Sequence, residues 1–108
     1  MKNDKEILEI IMSYIFKLER YTYNINIDDF EDNEEKYDAC CLVLQQIWEV
    51  GSKLNNNILL DFPISQMRWL RNRITHDYIW LDSEILRDTI VVSIPELKNV
   101  IQDYLNNL

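Results

Sequence analysis

Apolar residues recur along the first part of the chain at steps of three and four. Ile7, Ile11, Tyr14, Ile15, Leu18 and Thr22 fall on one stripe, the period of an amphipathic helix running from about Asp4 to Tyr21. Asn3 or Asp4 is placed to cap its first turn, because a short polar side chain there can accept from a backbone N–H that has no partner within the helix. The polar stretch from Asn24 to Asp32 breaks the pattern and reads as a loop. A second helix then opens at Asp32 or Asn33, with Glu34 and Glu35 at its positive end. It carries Tyr37, Cys40, Cys41, Leu44, Ile47, Trp48 and Gly51 on one side to about Lys53, where Asn55-Asn56-Asn57 ends it.

The pattern resumes near Pro63 to Ser65, a proline being well suited to a first helical turn. It continues through Met67, Leu70 and Ile74 to about Tyr78. Asp82 is positioned to cap a fourth helix with Glu84 in its first turn and Ile85, Leu86, Thr89, Ile90 and Val92 inside. Pro95 has no N–H to continue that ladder, so the helix is expected to kink or restart there with Ser93 as cap. A final segment from Glu96 to Leu108 presents Leu97, Val100, Ile101, Tyr104 and Leu105. Five segments with short connections predict an all-α, antiparallel bundle of four to five helices, formed as a single domain over residues 1–108.

Composition agrees with this reading. One Gly and two Pro in 108 residues leave little for the tight turns of a small β protein. The chain is 47% hydrophobic, with Trp48, Trp69 and Trp80 among its aromatics, and a core of this size hides only part of that. A homo-oligomer that covers some of the remainder is therefore expected. The longest apolar run near the N-terminus is broken at Ser13 and ended by Lys17, far short of a membrane span. Acidic Asp4 and Glu6 sit where a secretory signal carries only positive charge, which points to the cytoplasm. Cys40 and Cys41 are adjacent and poorly disposed for a mutual disulfide. With one His and no CxxC pair, neither a metal site nor a cofactor is expected.

The net charge of −8 opposes nucleic acid binding on its face. Its distribution changes the picture. Between Asp28 and Asp38 seven acids accompany a single lysine, Lys36, and they account for most of the excess. Arg68, Arg71 and Arg73 then form the chain's one arginine cluster, with no acid from Gln66 through His76. Such a cluster is ordinarily a solvated helix face; here it can also serve as an anion site. Leu70 and Ile74 take the core side of that helix, which leaves Arg71, Asn72 and His76 on or beside the other side. Asn72 and His76 lie one turn apart, and Arg71 and Tyr78 share a face. Arginine grips phosphate oxygens as a planar fork, histidine exchanges a proton near neutral pH, and Asn and Tyr add hydrogen bonds. This inventory suits phosphodiester cleavage without a metal, although a lone His near a helix C-terminus is equally at home there as a surface imidazole.

The string Arg71-Asn72-Arg73-Ile74-Thr75-His76-Asp77-Tyr78 resembles the R-N-x-x-x-H-x-Y signature of HEPN-domain proteins, and most closely those of the HepT type. The resemblance covers nearly the whole chain. It takes in the first amphipathic helix with Ile15 to Tyr21, the loop ending in Asp29-Phe30, the long helix from Tyr37-Asp38-Ala39 to Gly51, and the break at Pro95-Glu96-Leu97. It implies a homodimer of HEPN-like bundles whose two motifs form one composite endoribonuclease cleft, the toxin of a toxin–antitoxin pair. Arg71 and His76 would then be catalytic with Asn72 in support, Arg68 and Arg73 would attract RNA, and Tyr78 would be the residue modified with AMP. The implied partners are RNA and a minimal nucleotidyltransferase antitoxin (MntA-like), with further assembly around the antitoxin open and no membrane involved. The alternative on the same fold is a non-catalytic module that docks a nucleotidyltransferase or a nucleotide.

Overall fold

A computed structural model describes residues 3–26, 33–55 and 83–107, with side chains in the last stretch from Leu86 onward. Every regular element among the described residues is helical. Helix α1 spans Asp4–Thr22, and Asn3 rather than Asp4 caps it, its side chain accepting from the Glu6 N–H at 2.9 Å. The helix stops where Asn24 takes a positive φ of 61°. Asparagine enters this left-handed region at lower cost than most residues, because its side chain can hydrogen-bond locally. Helix α2 spans Glu34–Gly51; Asn33 is its cap, accepting from the Lys36 N–H at 3.1 Å. It ends two residues earlier than the pattern predicts, in a turn where Lys53 and Leu54 donate to the Val50 and Gly51 carbonyls.

The two helices run antiparallel. Just past the end of α2, the Asn55 N–H donates to Asp4 Oδ1 at 3.2 Å, which sets the end of one helix beside the start of the other. Gly51 fits the same contact: a Cβ built there would meet Ile11 Cδ1 at 3.7 Å, ordinary packing distance. At the opposite end Lys36 lies over the Tyr21 ring, 5.5 Å from its centroid.

The C-terminal part is one helical path in three pieces, α3 (Ser83–Asp88), a π-helical turn (Thr89–Ser93) and α4 (Ile94–Asn106). Regular α geometry does resume at Ile94 with Pro95 in the first turn, but Ser93, the possible cap, does not cap it by a side-chain hydrogen bond. Ser93 keeps helical angles (φ −68°, ψ −42°). The ladder widens there, and the Ile94 N–H donates to the Thr89 carbonyl five residues back. The physical reason is Pro95: in regular α geometry its ring would press on the Val91 carbonyl and leave that group without its donor, and a wider turn accommodates both.

A single hydrophobic cluster joins these elements. Ile7, Leu8, Ile11, Met12, Ile15 and Leu18 from α1 meet Cys40, Cys41, Val43, Leu44, Ile47 and Trp48 from α2, while Leu86, Ile90, Ile94, Leu97 and Ile101 close the third side. Each fully buried Leu or Ile contributes about 1.5–3 kcal/mol relative to exposure. The buried stripe of α1 is wider than its periodicity suggests, since Leu8 and Met12 are buried and Tyr14 and Thr22 only partly so. Val92, expected inside, is 51% exposed. Tyr37, Val100, Tyr104 and Leu105 pack at the margin of the core. No helix among the described residues is long and apolar enough to cross a membrane.

Candidate functional site

The described helices flank the segment that carries the arginine cluster. On one side α2 is closed off by its terminal turn, with Leu54 buried and Asn55 held to α1 through Asp4. On the other side, in sequence, the described chain resumes at Ser83, and Leu86 anchors it as a fully buried side chain. Arg68, Arg71, Asn72, Arg73, His76 and Tyr78 lie outside the described residues, as do the expected third helix from Pro63 to Tyr78 and the Asp82 cap. What the described part supplies is a packed frame whose two ends, near Asn55 and Ser83, bound the segment. That frame rests on α1, which packs against both α2 and α4.

The cysteines can be assigned directly. Both are free and buried. Burial pushes the Cys40 thiol up to about 11, with the Lys36 ammonium drawing it slightly the other way. The Cys41 thiol is pushed up to about 12, first by burial and then by its neighbours Cys40 and Asp38. Buried in the core and with ionisation disfavoured, these two act as small core hydrophobes, as their sequence context suggested.

One feature had no signal in the sequence. Between α1 and α4 runs a groove of about 340 Å³ whose lining includes Ile15, Leu18, Ile90, Ile94 and Pro95, with Glu19 and Lys98 also along it. Lys98 Nζ sits 2.6 Å from Glu19 Oε1 across the two helices, 79 positions apart in the chain. No periodicity or spacing could have paired them.

The described part is thus a small all-helical protein frame, and in the sequence the Arg–Asn–His–Tyr string lies between its second and third helices. The family model described as HepT-like, "Ribonuclease HepT-like", matches residues 11–104, a span that contains the whole of Arg68 to Tyr78. The chain belongs to the HepT-like ribonuclease family. It is similar to a protein named "Probable ribonuclease HepT" from Thermococcus cleftensis, 27% identical over 100 residues that cover 90% of this chain and 91% of that protein. No solved structure matches the chain.

Proposed function

We propose that this protein is an endoribonuclease that cleaves RNA without a metal, and that it acts as the toxin of a toxin–antitoxin pair. The observation that carries the reading is that Arg71-Asn72-x-x-x-His76-x-Tyr78 falls within the residues matching a ribonuclease family. In the proposed reaction His76 of one subunit takes the proton from a ribose 2′-hydroxyl, and that oxygen attacks the adjacent phosphorus. The bond from phosphorus to the 5′-oxygen breaks, and the partner subunit's His76 returns a proton to the leaving oxygen. The products are a 2′,3′-cyclic phosphate and a free 5′-hydroxyl. Arg71 from each subunit stabilises the charge gathered on the five-coordinate phosphorus, and Asn72 supports the pair by hydrogen bonding. Arg68 and Arg73 attract the RNA backbone. One His per chain makes the homodimer part of the chemistry, because the reaction needs both a base and an acid.

Silencing belongs to the same proposal: a minimal nucleotidyltransferase attaches AMP to the Tyr78 hydroxyl. The added phosphate brings negative charge to a site arranged for RNA phosphate, where it occupies Arg71 and repels substrate. The net charge of −8 favours a second reading, a non-catalytic module that docks a nucleotidyltransferase or a nucleotide, since an acidic surface repels RNA. Expression without a partner gene separates the two. The ribonuclease reading expects growth arrest that His76→Ala relieves, and cleavage by the purified protein that persists in EDTA. Activity that disappears with EDTA and returns with magnesium would overturn the metal-free scheme, and absence of both arrest and cleavage would favour the docking module.

A further inference from the structure

No further inference is drawn: the strongest candidate, the apolar groove between α1 and α4 floored by Ile15, Leu18, Ile90 and Ile94, is an unpartnered face, and nothing in the structure shows what covers it.

Discussion

Lys98 on α4 joins Glu19 on α1 by a 2.6 Å contact, and the same ammonium lies 5.2 Å from the centre of the Phe16 ring. One side chain thus fastens the two helices by charge and by its position over an aromatic face. The first turns of α4 are thereby set against the last turns of α1.

Both partners of that ion pair are partly open to solvent, with side chains 28% and 50% exposed, so solvent screening keeps its contribution small. Lys98→Ala should destabilise the fold by about 0.5–1 kcal/mol, and Glu19→Ala by less because it leaves the ring contact in place. A double-mutant cycle by urea denaturation measures the coupling, which should shrink as salt rises from about 0.05 to about 0.5 M. A coupling above about 2 kcal/mol would mean that the pair is far better shielded than its exposure implies.

The helical path through Pro95 makes a sharper contrast. Leu97 is fully buried and Val92 is mostly exposed, five residues apart on either side of the end of the π turn. Leu97→Ala should cost about 2–5 kcal/mol through the cavity it leaves. Val92→Ala should stay within about 0.5 kcal/mol. Equal losses in thermal denaturation would show that the turn faces the other way.

Burial of Cys40 and Cys41 links stability to alkaline pH. Their thiols are raised to about 11 and about 12, whereas in the unfolded chain each returns to its ordinary value of 9.0. Below pH 9 both states hold these protons and no stability is lost. Between about pH 9 and 11 the unfolded chain releases them first, so stability falls as pH rises. Replacing both with Ala should flatten that fall in urea titrations. In the native wild type, iodoacetamide should alkylate neither thiol at pH 8 until the protein is unfolded.

At the proposed cleavage site Arg71→Lys keeps the charge and loses the planar fork. It should leave folding intact and lower cleavage nearly as far as Arg71→Ala, by at least about 100-fold if the fork stabilises the transition state. Alanine at Arg68 or Arg73 should instead weaken RNA binding in a salt-dependent way and leave the rate at saturating RNA largely unchanged. The scheme also needs one neutral and one charged imidazole, so the pH–rate profile should be bell-shaped with its maximum near neutrality. Near-normal turnover by the Arg71→Lys variant would remove Arg71 from the role of transition-state clamp.

Tyr78→Phe removes the hydroxyl that would accept AMP and keeps the ring. The variant should fold, retain part of its cleavage activity and escape silencing when the nucleotidyltransferase is co-expressed. Intact-mass spectrometry reads the outcome, since each AMP adds a discrete mass to wild type and none should appear on the variant. Silencing of the Tyr78→Phe variant as complete as that of wild type would transfer control to simple complex formation or to another residue.

The described helices were largely legible in the sequence because the forces that begin and end them are local. Asn3 and Asn33 cap their helices through bonds to residues three positions on, and the apolar steps from Ile7 to Leu18 point to one side whatever lies beyond. The candidate site is a proposal read from a string of residue types whose chemistry suits RNA phosphate and whose span the family match includes. Its side-chain geometry lies outside the described residues, and a string cannot supply it, because distances between side chains depend on how helices dock.

By itself, then, the sequence determined that the described elements are helical and where α1 and α2 start and stop to within about two residues, and it singled out the segment whose residue types suit the proposed chemistry. Only the tertiary structure decided the rest. It buried Leu8, Met12 and Val43, left Val92 and Leu42 in solvent, joined Asn55 to Asp4 and Lys98 to Glu19, and led the chain into Pro95 through a π turn without a side-chain cap from Ser93. Periodicity fixes a direction on one helix, whereas burial depends on how many neighbours surround that direction. Here α1 has neighbours on two sides, α2 and α4, and so its buried face is wider than any single stripe.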